Sequence, residues 1–469
     1  MLTIEELAEV CGGRLARHRG RVCPSGFSID SRTLRPGEFF IALPGRRTDG
    51  HGFLADAFAQ GACGALVRAA ALDAFPVGIG HNLIAVADTT SALQQAAHAY
   101  RDHFRIPLAA VTGSAGKTTT KELLAHLLGQ AGWRVYRSPG NYNSEIGLPL
   151  ALLNMPCDTG IGVFELALQR PGDIGQLAQI LSPTLGIITN IGDAHLGFFR
   201  DCRELADAKW ELIEALPPDG CAILNLDSSF LCERAGQAPC RVLGYAIDNS
   251  RAAVRASEID DSSLNGLAFT LETPRGHWRV QTKLLGRPNI YTVLAAVAAS
   301  EALGLDMAAV REALAGFNPV DHRLQLRRSP RFGWLLDDSY NASPQATREA
   351  LQTLARLRVP DHQKVFVFGG MLELGPHSAL AHREIAAAIA QLGVIDRFFG
   401  LGPLAAEVGQ ALLAEHGWPA ERVALTERLD DLTKMVSCAL SQPRNLVLVK
   451  GSRTLEFDRL VEALQAEPL

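Results

Sequence analysis

No apolar run in the 469-residue sequence approaches the roughly 18 residues needed to cross a bilayer, so no membrane-spanning helix is expected. Basic residues are not in excess either: 45 lysines and arginines face 50 aspartates and glutamates, giving a net charge of −5 and a pI near 6.2. That balance argues against the broad positive field with which proteins hold nucleic acid or anionic membrane surfaces, and an anionic substrate would have to be met by local basic groups. The nine cysteines (Cys11, Cys23, Cys63, Cys157, Cys202, Cys221, Cys232, Cys240 and Cys438) are odd in number, scattered, and never spaced Cys-x-x-Cys. Such thiols fit a reducing cytoplasm better than a disulfide framework or a zinc site. The opening MLTIEELAEVCGG starts an amphipathic helix and lacks the charged start and apolar stretch of a signal peptide, so a cytoplasmic protein is expected. There is no internal repeat and no low-complexity segment.

What remains is an ordinary globular composition, 47% hydrophobic and 20% charged, in a chain too long for one core. About three domains are expected. Up to about Val86, short strand-like runs such as Phe39 to Leu43 are set off by Pro-Gly and Asp-Gly turns, and RRTDGH reads as a polar loop. A helical pattern from Asp88 to Phe104 then leads to an apolar strand, Leu108 to Val111, a glycine-rich turn and a helix from Thr118 to Gln130. That order opens a parallel α/β domain. Strands at Gly162 to Leu166 and Leu185 to Thr189 continue it, with helices at Ile174 to Leu181 and Arg203 to Leu216, and a last helix, Ile290 to Leu303, closes it. From about Asp321 the alternation restarts, with strands near Trp334 to Asp337, Val365 to Phe368, Arg397 to Phe399 and Leu446 to Val449. This third unit reads as Rossmann-like, yet it has no Gly-x-Gly-x-x-Gly fingerprint, which argues against a dinucleotide.

The most informative local motif is Thr112-Gly113-Ser114-Ala115-Gly116-Lys117-Thr118-Thr119, between the apolar strand and a helix. Glycines let backbone N–H groups surround phosphate oxygens, the helix N-terminus adds its positive end, Lys117 reaches the terminal phosphates, and the Thr118 hydroxyl can bind magnesium. ATP is the natural ligand. Val111 stands where the standard loop has its first glycine, and a plain glycine turn before a capped helix is the other reading. No Asn-Lys-x-Asp motif follows, which argues against a GTPase switch.

TGSAGKTTT resembles the shortened phosphate loop of the Mur ligases, and further segments extend the resemblance over nearly the whole chain. DSRTLRPGEFFIALPGRRTDGHGF resembles the segment with which members of that family hold a UDP-sugar. It offers Ser31, Arg32 and Thr33 as donors to a uridine or diphosphate, with Thr48, Asp49, Gly50 and His51 as a polar turn beside them; a basic, polar loop can equally be solvated surface. SPGNYNSEIGLP resembles the family's asparagine-rich segment, where Asn141 and Asn143 would meet the peptide, although such asparagines also make turns.

Three dispersed residues carry the metal-binding part of the resemblance. Glu165 ends an apolar strand in GVFEL, His195 follows a strand in ITNIGDAHL, and Lys209 lies in ADAKWEL. In the family the matching glutamate and histidine bind a second magnesium, and the lysine carries a carbamate made from carbon dioxide. Each has an ordinary alternative: an ion-paired strand-end glutamate, a satisfied histidine, a surface lysine. GRPNIYTVLAAVAA resembles the family segment facing adenine, with Asn289 as the contact or else as a helix cap. Arg323, in DHRLQ, resembles the arginine that closes on ATP phosphates from the next domain.

LDDSYNASPQATREAL resembles the signature of the family members that add D-alanyl-D-alanine, and differs from the corresponding segments of those that add diaminopimelate or lysine. Asp338 and Asn341 are carried over as nucleotide contacts. In LVKGSRTLEFD, Lys450, Ser452 and Arg453 lie between a strand and an expected helix start, a favoured anion site suited to the dipeptide carboxylate. The chain departs from the family pattern at Gly197, Pro288, Thr292 and Gly370, and ELALQRPGDI lacks the usual glycine after Glu165.

The resemblance implies an α/β protein of three domains: a small UDP-substrate domain (1–86), a central phosphate-loop ATPase domain (87–320) and a Rossmann-like domain that takes the incoming D-alanyl-D-alanine (321–469). It implies a cytoplasmic ligase that joins this dipeptide to UDP-N-acetylmuramoyl-tripeptide through an acyl phosphate, with ATP, two magnesium ions and a carbamylated Lys209. Within that scheme Lys117, Glu165, His195, Lys209 and Arg323 are the catalytic candidates. Thr118, Glu165, His195 and Lys209 are the metal candidates, and a monomer without nucleic-acid or membrane partners is expected. The other readings are a sister ligase of the same superfamily, or a nucleotide-binding regulator that has lost catalysis.

Overall fold

The first helix, α1 (Ile4–Val10), starts where the sequence places it because Thr3 and Glu6 form a reciprocal capping box, each side chain accepting from the other's backbone N–H. The computed structural model describes residues 2–17, 20, 22–45, 48–74, 82–192, 199–440 and 442–465. After α1 come β1 (Arg14–Arg17), β2 (Phe27–Ser28), β3 (Phe39–Ile41), α2 (Leu54–Ala59), β4 (Gly64–Arg68) and β5 (Asn82–Val86). They form a five-stranded sheet in the order β1-β5-β4-β3-β2, antiparallel only between β1 and β5. Its edge strand β2 is held by Asn154, whose side chain accepts from the Phe27 N–H at 2.9 Å and donates to the Phe27 carbonyl at 3.0 Å.

A second sheet follows, built from β6 (Leu108–Thr112), β7 (Val135–Arg137), β8 (Ile161–Glu165), β9 (Leu185–Ile188), β10 (Cys221–Asn225), β11 (Arg241–Ala246), β12 (Val254–Asp260), β13 (Ala268–Thr273) and β14 (Gly276–Gln281). Around it run α3 (Thr89–Arg101), α4 (Lys117–Gln130), α5 (Gly147–Leu153), α6 (Asp173–Leu181), α7 (Cys202–Glu214), α8 (Ser229–Arg234), α9 (Pro288–Ala302) and α10 (Met307–Gly316). The strand order is β14-β13-β12-β11-β10-β9-β6-β8-β7, parallel from β7 to β12.

Strands β6, β8 and β9 are buried throughout because helices cover both faces of the sheet. Side chains of β6 alternate between two cores: Leu108 and Ala110 join one, Ala109 and Val111 the other. The first core also contains Ile4, Phe27, Phe39 and Ile84, so the first two sheets share a hydrophobic interior. From β6 the chain moves to β7 and β8 on one side, then to β9 on the other, which makes the carboxyl end of β6 a topological switch point.

The sequence reading is incomplete here. It closes the middle unit with one helix after α7, whereas the structure adds five strands, β10 to β14, before α9, and the helix α10 after it. Strands β12 to β14 face solvent on one side and alternate in burial, a weaker pattern than the continuous apolar runs of β6 and β8.

The third sheet contains β15 (Gln325–Ser329), β16 (Gly333–Asp338), β17 (Gln363–Phe368), β18 (Arg397–Leu401), β19 (Val423–Thr426) and β20 (Asn445–Lys450). Its helices are α11 (Pro344–Arg356), α12 (Ser378–Leu392), α13 (Gly402–Ala414), α14 (Leu429–Ala439) and α15 (Phe457–Gln465). In the order β15-β16-β20-β17-β18-β19 only β15 is antiparallel. Phe366 and Phe368 point into one core, Val365 and Val367 into another. Among the described residues no helix is long and apolar enough to cross a membrane.

Candidate active site

The turn after β6 needs glycine for a measurable reason: a Cβ on Gly113 would fall 1.9 Å from the Thr189 hydroxyl. Gly116, at φ 79°, takes the left-handed conformation that starts α4 at Lys117, one residue before the expected Thr118. The Ser114 and Ala115 N–H groups donate to Asn190 Oδ1 at 3.0 and 2.8 Å, and the Thr189 hydroxyl donates to the Ala115 carbonyl at 2.6 Å. The loop is therefore held from the end of β9. Lys117 Nζ donates to the Gly113 carbonyl at 3.0 Å. Burial pushes the Lys117 ammonium below the ordinary lysine range, and the nearby Glu165 charge opposes that shift.

Glu165, at the end of β8, is 3% exposed. Among the described residues its partners are neutral rather than cationic: the Thr118 hydroxyl donates to Oε2 at 2.8 Å and the Asn143 amide to Oε1 at 2.9 Å. The ion-pair alternative is corrected by that geometry. Lys209, on α7, is 1% exposed, so it is no surface lysine, and among the described residues no hydrogen-bond or ion-pair partner meets its Nζ. Burial first, and the charge of Lys117 second, hold its pKa well below the ordinary lysine value. His195 and Gly197 lie outside the described residues. Among the described residues no group of three or more His, Cys, Asp or Glu side chains is arranged so that it could hold a metal ion by itself.

The third unit brings a second group to the same place. Arg323 Nη2 comes within 3.5 Å of the Thr118 hydroxyl, and its guanidinium lies over Tyr340. Asp338, at the end of β16, pairs with Lys450 at the end of β20, and Lys450 also donates to the Asn341 carbonyl at 3.0 Å. The neighbouring Asp337, fully buried, meets His322 Nδ1 at 2.9 Å and Arg327 Nε at 3.0 Å. Leu324 N–H donates to Asp338 at 3.1 Å. His322 and Leu324 both have positive φ (61° and 48°), so the two aspartates anchor a strained passage between units.

Ser452 accepts from the Leu372 N–H at 3.2 Å and donates to the Gly370 carbonyl at 3.3 Å. Ser452 and Arg453 lie between β20 and a helix, as expected, but they do not adjoin the helix start. A 3-10 turn, Arg453–Leu455, and a left-handed Glu456 at φ 51° come first, and α15 begins only at Phe457. Gly370 has a packing reason for its departure from the family pattern, since its φ is +84° and a Cβ would sit 2.6 Å from Leu404 Cβ.

These groups line one cavity of about 800 Å³ between the middle and third units. Ser114, Ala115, Gly116, Lys117, Thr118, Thr119, Asn143, Glu165, Asn289, Arg323, Asp338, Asn341, Lys450, Ser452 and Arg453 all contribute to its wall. Gly113 and Lys209 lie behind the wall, and Asn141 is exposed outside it. Asn289 is not a cap. Arg287 occupies that position with no side-chain bond, Pro288 takes the first helical turn, and the Asn289 amide donates back to the Leu285 carbonyl at 2.7 Å.

Sequence reasoning missed one side of this cavity, formed by Asn225, Asp227, Ser228, Phe230 and Tyr291. Asp227 accepts from the N–H groups of Ile247, Asp248 and Asn249 and from the Tyr291 hydroxyl at 3.0 Å. The available signal was LNLDSS after the apolar run of β10, at the carboxyl end of a parallel strand.

None of the candidates in the first unit lines the cavity. Ser31 is buried, Thr33 is exposed, and Arg32 closes on Asp30 at 2.9 and 2.7 Å. Exposed Thr48 and Asp49 precede a 3-10 turn, Gly50–Phe53, which Asp49 caps by accepting from the His51 N–H. His51 is buried, with Nδ1 on Asp49 at 2.6 Å and Nε2 accepting from the Arg68 N–H at 2.8 Å, so both ring nitrogens are committed internally.

Comparison with known proteins gives a consistent result along the chain. Residues 25–101 match the model described as Mur ligase family, catalytic domain; residues 111–300 match Mur ligase middle domain; residues 322–453 match Mur ligase, glutamate ligase domain. UDP-N-acetylmuramoyl-tripeptide--D-alanyl-D-alanine ligase of Bacillus subtilis is 32% identical over 468 residues, covering 100% of this chain and 99% of that protein. The Escherichia coli protein of the same name is 33% identical, covering 99% and 98%. A crystal structure of MurF from Acinetobacter baumannii superposes with a TM-score of 0.87 at 28% identity, covering 99% of both chains.

Proposed function

Because the chain belongs to the Mur ligase family, we propose that it is an ATP-dependent, ADP-forming ligase that joins D-alanyl-D-alanine to UDP-N-acetylmuramoyl-tripeptide. The observation that carries this reading is the meeting, in one cavity, of the phosphate loop and Glu165 with Arg323 and the Asp338–Lys450 pair of the DDSYNAS unit. In this reading residues 1–86 hold the UDP-sugar, 87–320 the nucleotide, and 321–469 the dipeptide. A monomer in the cytoplasm is proposed with this activity.

The terminal carboxylate of the tripeptide attacks the γ-phosphorus of ATP, the bond to ADP breaks, and an acyl phosphate forms. The dipeptide amine then attacks the acyl carbon, phosphate leaves, and the amine gives up a proton. Lys117 and Arg323 place positive charge against the transferring phosphoryl group from two different units. Asn143 keeps Glu165 oriented and is assigned to the peptide. Arg453 and Ser452 are assigned to the dipeptide carboxylate, while Lys450 acts by holding Asp338 and the Asn341 turn in place. Closure of the third unit over the cavity keeps water from the acyl phosphate.

Magnesium fits this site because Thr118 and Glu165 offer adjoining oxygen ligands, and this cation takes one or two carboxylates alongside phosphate oxygens and water. Two ions are proposed, with His195 as a further ligand; when bound they supply charge neutralisation at phosphorus. Lys209 is assigned to a carbamate, since a buried amine whose charged form burial disfavours can add carbon dioxide with loss of a proton and become an anionic ligand.

The test is phosphate release from ATP with UDP-muramoyl tripeptide and, separately, D-alanyl-D-alanine, diaminopimelate, lysine or glutamate, with the product mass measured. Turnover with the dipeptide alone is expected. Turnover only with a single amino acid would assign a sister activity, and nucleotide binding without turnover would assign a regulator.

A further inference from the structure

Lys121 lies one helical turn after Lys117 on α4, is completely buried, and takes no part in the chemistry above. Its Nζ donates to the carbonyls of Ser138 at 2.7 Å and Gly140 at 3.3 Å, and it pairs with Glu122 Oε1 at 3.0 Å. A lysine with all its donors spent inside protein is costly to bury, so the turn it binds is strongly specified. That turn leads directly into the asparagine segment. Ser138 Oγ accepts from the Glu165 N–H at 3.3 Å, Asn143 donates to Glu165 Oε1, and the Asn143 carbonyl accepts from the Ala167 N–H at 2.9 Å. The phosphate loop is fastened separately, through Thr189 and Asn190.

We infer that Lys121 is a positioning residue that clamps the 138–143 turn onto the phosphate-loop helix and so sets Asn143 for the acceptor peptide, leaving the phosphate loop itself to a different set of bonds. The kinetic form of this inference rests on the ligase reading; its structural form does not. Glu122 also pairs with Arg137 at 2.7 Å, so the clamp has an outer half that can be weakened without emptying the core.

Two variants and two readouts test it. In Lys121→Met, the KM for the muramoyl tripeptide is expected to rise about tenfold or more, the size of losing hydrogen bonds to a charged group, while the KM for ATP changes less than about threefold. Glu122→Gln, at a partly exposed site, covers the case in which Lys121→Met does not fold, and is expected to show the same split at smaller amplitude. Hydrogen exchange of ADP-bound protein reads the clamp without turnover: amides of 138–143 should exchange faster in both variants, with residues 113–119 unchanged. Equal rises in both KM values, or faster exchange at 113–119 as much as at 138–143, would overturn the inference, as would an unchanged turn in folded Glu122→Gln. If wild-type protein makes no pentapeptide, the ligase reading fails and the exchange result alone decides the role of Lys121.

Discussion

The guanidinium of Arg323 lies 3.8 Å from the centre of the Tyr340 ring. Arg453 approaches the same ring at 4.9 Å, so one aromatic side chain organises two cations, one reaching toward Thr118 and the other from the turn after β20. A guanidinium over an aromatic face contributes roughly 0.5–2 kcal/mol, depending on desolvation. Tyr340 thus fixes where two positive charges enter the cavity wall.

Removing the ring frees both arginines. Tyr340→Ala is expected to lower kcat/KM about tenfold, while Tyr340→Phe, which keeps the ring, stays within about threefold of wild type. Steady-state phosphate release checks this; equal losses in the two variants would show that the hydroxyl, and not the ring, is what the site uses.

Lys209 leads to a prediction about dissolved carbon dioxide. In buffer stripped of it, turnover should fall, and added bicarbonate should restore it. Lys209→Met should be slower than wild type by about a hundredfold or more, in line with loss of a charged group at a phosphoryl-transfer centre. Its residual rate should ignore bicarbonate. A wild-type rate that is independent of bicarbonate after exhaustive stripping would rule out the carbamate.

A third prediction concerns stability. Asp88 caps α3 by accepting from Thr90 N–H at 3.1 Å and from the Ser91 hydroxyl at 2.7 Å, and the Ser91 bond is the main reason its carboxyl titrates below the usual range. A depressed folded-state pKa adds stability that is present above the ordinary aspartate pKa and is lost as pH falls through the folded value. Asp88→Ala should therefore cost about 1 kcal/mol near neutral pH, a typical capping contribution, and the gap to wild type should close under acid conditions. Paired denaturant titrations at both pH values measure it.

The phosphate loop was readable because its ligand chemistry is contiguous: glycines, lysine and threonine lie between an apolar strand and a helix. Glu165 stood out for a related reason, as a carboxylate at the end of a fully apolar strand. The pairing of Asp227 with Tyr291 was not readable because they meet across 64 residues, and nothing local at either position announces the other. Lys121 carries no local signal in a helix-forming stretch; only the fold reveals that the carbonyls it satisfies belong to the turn after β7. The helix expected after Arg453 is present, but the left-handed Glu456, which no side-chain pattern encodes, separates its start from Ser452 and Arg453.

The two bonds from Asn154 to Phe27 reproduce, with a single side chain, what one more strand would give the open edge of the first sheet. An amide on a neighbouring helix thus serves as a removable sixth strand: it shields β2 from pairing with another chain and ties the first unit to the middle one, with which it already shares a core. The first two units are accordingly built around one shared core, while most of the third unit's core residues lie beyond the His322–Leu324 passage. A protein cut after residue 86 would lose that cover, and its first unit would expose a live strand edge.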